Sequence, residues 1–161
     1  MVESNNTALQ IREAQLVEDR EPDLLGEIRS KRARIAVLGM GHVGLPTALS
    51  LCELGWHVLG ADGGPPLVQQ LWAGQVPFYE PGIEDLLRRH LHKNFQPIED
   101  LEAAIRAATV VFICVGTPQG ENGQADLSQV ESVARTIAQN LNGYKLIVEK
   151  STVPARLRPI G

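Results

Sequence analysis

Three glycines at fixed intervals, Gly39, Gly41 and Gly44, are the residues of this chain best placed for binding chemistry. They follow a short apolar run, Ile35-Ala36-Val37-Leu38, and precede an apolar, helix-compatible segment from Leu45 to Leu54. In Gly39-Met40-Gly41-His42-Val43-Gly44 the first glycine permits a tight turn out of a strand. The second lets a pyrophosphate approach bare backbone, and the third lets the helix pack closely on the strand. The helix N-terminus then offers unpaired N–H groups and a partial positive charge to the phosphates. A second strand, from Trp56 to Ala61, ends at Asp62. A carboxylate at that tip can accept both ribose hydroxyls of an adenosine and repels a 2′-phosphate, which favours NAD over NADP. Asp62 also admits a plainer reading, as a turn residue ahead of Gly63-Gly64.

Two later stretches carry the same kind of residue at strand ends. Thr109 to Val115 reads TVVFICV, β-branched and apolar throughout, as in a strand buried on both faces. It breaks at Gly116-Thr117-Pro118 and is followed by Gln119. The segment Lys145 to Glu149 reads as a last strand and leads into Lys150-Ser151-Thr152-Val153-Pro154. Glycine, hydroxyl or carboxylate groups thus stand at four strand ends.

The elements that must position them alternate in type. Helices are expected over Leu67 to Trp72, Ile83 to His92 and Glu99 to Ala107, with a short strand at Phe95 to Ile98. Asp126-Leu127-Ser128-Gln129 has the pattern of a capping box. It opens a helix to about Asn140, with Val130, Val133, Ile137 and Leu141 turned inward. Strand–helix alternation predicts an α/β fold: a Rossmann-type, doubly wound parallel sheet with right-handed crossovers. In such a sheet the ligand lies beyond the carboxyl ends of the strands, at the switch point. Val76-Pro77-Phe78-Tyr79-Glu80-Pro81-Gly82 must be a loop, because two prolines forbid a regular ladder or helix. It is either a packed surface loop or a wall of the site. Residues 1–32 read as an extension, partly helical or disordered, with Pro22 interrupting a possible helix from Ala8 to Glu27; residues 33–161 form the domain.

Composition narrows the function classes. The chain has 161 residues, 43% of them hydrophobic, and a net charge of −4, which gives no reason to expect a nucleic-acid partner. No apolar run has the length of a membrane span. Cys52 and Cys114 lie in apolar stretches, as reduced core thiols of a cytoplasmic protein do. The histidines lack ligand spacing, so no metal site is expected, and His90 and His92 read as solvated residues of a charged helix end.

Five segments match one pattern in order: GMGHVGLP at Gly39 to Pro46, VPFYEPGI at Val76 to Ile83, CVGTP at Cys114 to Pro118, ADLSQV at Ala125 to Val130, and NGYKLIVEKSTVP at Asn142 to Pro154. Over about Arg34 to Pro154 the chain resembles the N-terminal domain of the UDP-glucose and GDP-mannose dehydrogenase family, most of all its UDP-glucose 6-dehydrogenase branch. The resemblance implies oxidation of a sugar C6 alcohol to a carboxylate with two NAD molecules per sugar. It implies that Gly39, Met40, Gly41, His42, Val43 and Gly44 hold the pyrophosphate and that Asp62 binds the adenosine ribose. Val115, Gly116, Thr117, Pro118 and Gln119 would pass along the cofactor, with Ser151, Thr152 and Val153 at its nicotinamide end. Thr152 matches the threonine that helps hold a catalytic water; a cap or turn hydroxyl is the alternative. Leu67 stands where the family usually has a basic residue. The family's nucleophilic cysteine belongs to a C-terminal sugar-binding domain, and neither Cys52 nor Cys114 matches it. The expectation is an NAD-binding half, truncated on its C-terminal side, that binds NAD without completing catalysis. The nucleotide sugar would bind only with the C-terminal domain, and full-length members are homo-oligomers. The alternatives are a stand-alone nucleotide-binding or regulatory module, or a fragment of a GDP-mannose or UDP-N-acetylmannosamine dehydrogenase.

Overall fold

The central strand shows why the sheet is buried on both sides. β1 (Arg34–Leu38) sends Ile35 and Val37 into one apolar cluster and Ala36 and Leu38 into another, and all four are buried. That is the side-chain alternation of a strand covered by helices on both faces. β1 pairs in parallel with β2 (His57–Ala61) on one side and β4 (Val110–Ile113) on the other. β3 (Phe95–Ile98) and β5 (Leu146–Glu149) are the outer strands, and the order is β3-β2-β1-β4-β5, parallel throughout. The computed structural model describes residues 21–120 and 123–152.

The helices divide between the faces as the sequence pattern requires. Leu45, Ala48 and Leu49 of α2 (Gly44–Glu53) and Leu87 of α4 (Ile83–His90) fill the cluster of Ile35 and Val37. Ala104 and Ile105 of α5 (Leu101–Ala107), with Val133 and Ile137 of α6 (Ser128–Gln139), fill the cluster of Ala36 and Leu38. α1 (Glu21–Arg29) precedes β1, and α3 (Pro65–Trp72) follows β2. The expected doubly wound α/β sheet is therefore observed. Its strand order reverses between β1 and β4, which places a crevice above their carboxyl ends. No helix among the described residues is long and apolar enough to cross a membrane.

Pro22 is the second residue of α1, and the part of the possible helix before Glu21 lies outside the described residues. Three local expectations need correction. Asp126 forms no capping box. The N-cap position is Leu127, without a side-chain cap, and Asp126 Oδ1 instead accepts the Ser128 N–H at 2.9 Å. Leu141 is exposed rather than turned inward, since α6 ends before it. His90 is buried rather than solvated. Its Nε2 lies 2.5 Å from Glu53 Oε2 and its Nδ1 lies 2.8 Å from Asn94 Oδ1. Asn94 Nδ2 donates to the carbonyls of Cys52 and Trp56 at 2.8 and 2.9 Å. With that amide so oriented, His90 Nδ1–H is the donor to Oδ1. The His90 hydrogen bond and then the Arg89 charge hold the Glu53 carboxyl below its usual range. The cluster ties the end of α2 to α4 and the entry of β3.

Candidate functional site

The carboxyl rim of the sheet is shaped by close backbone approach. Gly39 leaves β1 at φ 94°, in the left-handed region, and its N–H donates to the Ala61 carbonyl at 2.8 Å. A Cβ at Gly44 would stand 1.7 Å from the Gly39 carbonyl oxygen and 3.2 Å from Cys114 Cβ, so α2 begins in direct contact with the turn below it. A Cβ at Gly41 would meet nothing within 4 Å. Bare backbone at that point faces open space. The N–H groups of Gly41, His42 and Val43 have no backbone acceptor among the described residues, so they remain available to an anion at the head of α2.

Asp62 closes the turn from the neighbouring strand. Its Oδ2 accepts the Met40 N–H at 2.9 Å, and its Oδ1 accepts the Gly64 N–H at 3.0 Å. Each carboxylate oxygen keeps a second lone pair for a ligand hydroxyl. On the far side of the crevice, Thr117 Oγ1 donates to Thr152 Oγ1 at 3.3 Å. Ser151 Oγ donates to the Ile113 carbonyl at 3.4 Å, and the Lys150 N–H to the same carbonyl at 2.9 Å. The segment after β5 is thereby pinned beside the end of β4.

Between these walls lies a cavity of about 800 Å³. The chain brings to it Gly39, Met40, Gly41, His42 and Val43, with Asp62, Val115, Gly116, Thr117, Ser151 and Thr152. Of the other sequence-expected residues, Gly44 lies buried beneath the turn and lines nothing. Pro118 and Gln119 stand outside the wall. The Pro118 carbonyl accepts the Asp126 N–H at 2.8 Å, and Gln119 bridges to Ala125. Val153 lies outside the described residues. Phe78 of the proline-bracketed loop stacks on His42 with centroids 4.2 Å apart, so that loop buttresses the glycine turn from outside.

The sequence reading missed nine of the twenty residues of the wall. Ser128, Gln129 and Ser132 of α6 and Lys150 all line the cavity, as do Leu67 and Leu101 near Asp62. A signal existed for α6: a helix that follows β4 in a parallel sheet begins at the same rim. Cys114 lines the floor, but burial pushes its thiol up to about 11, so it is a neutral group at physiological pH.

Residues 33–158 match the profile of the UDP-glucose/GDP-mannose dehydrogenase family, NAD binding domain. The chain is 43% identical over 122 residues to UDP-glucose 6-dehydrogenase TuaD of Bacillus subtilis, which covers 75% of this chain and 26% of that protein. Its fold is similar to the solved structure of a UDP-glucose dehydrogenase from Pyrobaculum islandicum, with a TM-score of 0.72 and 40% identity over 76% of this chain and 29% of that one. A GDP-mannose dehydrogenase ternary complex from Pseudomonas aeruginosa gives 0.72 and 34% over 74% of this chain and 28% of that one. The chain thus spans about a quarter of the length of the curated relatives it matches.

Proposed function

Because the chain belongs to the UDP-glucose/GDP-mannose dehydrogenase family and carries that family's NAD-binding domain, we propose that the rim cavity takes up NAD for the oxidation of a nucleotide sugar, UDP-glucose first among the candidates. The observation that carries this reading is the open space at Gly41 between unpaired N–H groups and the Asp62 carboxylate. Those residues fit the group. Bare N–H donors at the head of α2 suit a pyrophosphate, and the second lone pairs of Asp62 suit ribose hydroxyls. A 2′-phosphate would bring like charge to Asp62, so NAD is preferred to NADP.

When bound, NAD supplies the hydride acceptor for the oxidation of an alcohol. The chain's own residues bind, orient and shield. Thr152 Oγ1 accepts from Thr117 and keeps its own proton to donate into the cavity, which suits it to hold a water or a substrate oxygen. Ser151 and Val115 line the same wall. Neither thiol serves as a nucleophile, since burial pushes Cys52 up to about 12 and Cys114 to about 11. The described residues therefore hold the cofactor, and the thiolate that the resemblance implies for the second oxidation must come from outside them. Two buried free thiols accord with work in a reducing compartment such as the cytoplasm.

Calorimetric titration tests the reading. NAD should saturate the chain below about 1 mM, with NADP at least ~tenfold weaker. Asp62→Asn should weaken NAD by about tenfold or more and narrow that ratio. Failure to bind NAD at millimolar concentration, or an Asp62→Asn variant that binds NAD like the parent, would overturn it.

A further inference from the structure

At the opposite rim, the amino ends of β1, β2 and β3 enclose a second cavity of about 380 Å³. Its wall includes Arg32, Arg34, His57, Trp72, His92 and Lys93. The fold itself gathers them. Arg34 and His57 are register partners at the first positions of adjacent strands. His92 and Lys93 belong to the turn between α4 and β3, and Trp72 ends α3. His92 lies at φ 65°, and its ring sits 5.1 Å from that of Trp72, tilted by 37°. Among the described residues no carboxylate lines this cavity, and Arg32, Arg34 and Lys93 make no ion pair.

That concentration runs against the chain's average, since its net charge is −4. Like charges gathered in a concavity repel one another, and a matching anion relieves the repulsion. Arginine's planar fork pairs with phosphate oxygens bidentately, while lysine adds a point charge. The Trp72 and His92 rings offer two mutually tilted aromatic faces beside them. We propose that this second cavity binds a phosphorylated small molecule, with its phosphates on Arg32, Arg34 and Lys93 and a planar ring against Trp72 and His92. Its volume falls in the range of small-molecule pockets, roughly 300–1,000 Å³. The acidic balance of the whole chain opposes an extended nucleic-acid strand. The site lies across the sheet from Asp62 and Thr152 and stands independently of what occupies the other rim.

Titration followed by NMR tests it, read at the Trp72 indole and at the His57 and His92 rings. Pyrophosphate should saturate these signals with a Kd below about 1 mM at physiological salt, and UDP should bind at least ~threefold more tightly because of its ring. Arg32→Ala/Arg34→Ala should weaken pyrophosphate by at least ~tenfold, and Arg32→Lys/Arg34→Lys, which keeps the charges but loses the fork, should fall between the parent and the alanine variant. Both arginines are exposed, so an unchanged thermal midpoint will show that the variants fold. Shifts confined to Gly41, His42 and Val43, absence of saturation, or an alanine variant that binds like the parent would each overturn the proposal. UDP no tighter than pyrophosphate would overturn the ring contact. A single-stranded oligonucleotide that bound these same residues more tightly than either probe would overturn the small-molecule assignment.

Discussion

Two alanine substitutions, three residues apart in one turn, should fail in opposite ways. At Gly44 an added Cβ meets the Gly39 carbonyl oxygen at 1.7 Å and Cys114 Cβ at 3.2 Å. Rotamer changes cannot relieve the first contact, because the oxygen is backbone and Gly39 is tied through its N–H to Ala61. To restore ordinary contact, the head of α2 must lift from β1 by more than about 1 Å, and overpacking of this kind costs about 3 kcal/mol. For a chain of this size that lowers Tm by roughly 6–12 °C. At Gly41 an added Cβ meets nothing within 4 Å, and the backbone is not in the left-handed region. Gly41→Ala should therefore change stability by less than about 0.5 kcal/mol. It should still weaken NAD by at least ~tenfold, because the methyl fills the space through which a pyrophosphate reaches the N–H groups. Thermal melts and calorimetric NAD titrations on the parent and both variants separate the two effects. A Gly44→Ala protein that melts within about 2 °C of the parent would refute the packing argument. A Gly41→Ala protein that binds NAD like the parent would refute the cradle.

Asn94→Ala should destabilise the chain by about 2–4 kcal/mol in urea unfolding, since it strips partners from the Cys52 and Trp56 carbonyls and from His90. NAD affinity should be unchanged, because that cluster lies away from the glycine rim. The buried thiols predict slow reaction with a thiol reagent at pH 8 in the native protein and fast reaction once it is denatured. An unfolded thiol ionises above about pH 8.5, while the folded pair stays protonated toward about 11 and about 12. Their contribution to stability is therefore whole below about pH 8.5 and is lost as pH rises toward the folded values. The fall in urea midpoint between pH 8 and pH 10 should be smaller in Cys52→Ala than in the parent; an equal fall would contradict the assignment.

What was legible in the sequence was what local pattern encodes. The run Ile35 to Leu38, the glycine spacing and the all-apolar Thr109 to Val115 each carry their structure within a few residues, so the sheet and one wall of the cavity could be read directly. Residues whose roles depend on distant partners could not. His90 looked solvated because its neighbours are Arg88 and Arg89, yet its partner Glu53 comes from another helix. Ser128 and Gln129 marked only a helix start and Ser132 carried no motif, and it is the crossover from β4 that returns the head of α6 to the rim. The short strand expected at Phe95 to Ile98 is observed with Pro97 inside it, because β3 is an outer strand, where a missing N–H is tolerated. Asp126 carried the right spacing for a capping box, but its side chain was taken by the nearer Ser128 N–H.

Asp62 has a further implication for how coenzyme preference could change. One of its oxygens clasps the Met40 amide in the glycine turn and the other clasps the Gly64 amide in its own turn. A substitution that removes the negative charge to admit a second phosphate also releases at least one of two main-chain donors that hold separate loops in register, since even asparagine keeps a single acceptor oxygen. Conversion to the phosphorylated coenzyme is thus unreachable in one mutational step without loosening the cradle. A successful redesign would first have to supply a replacement acceptor for each released amide, and only then a cation.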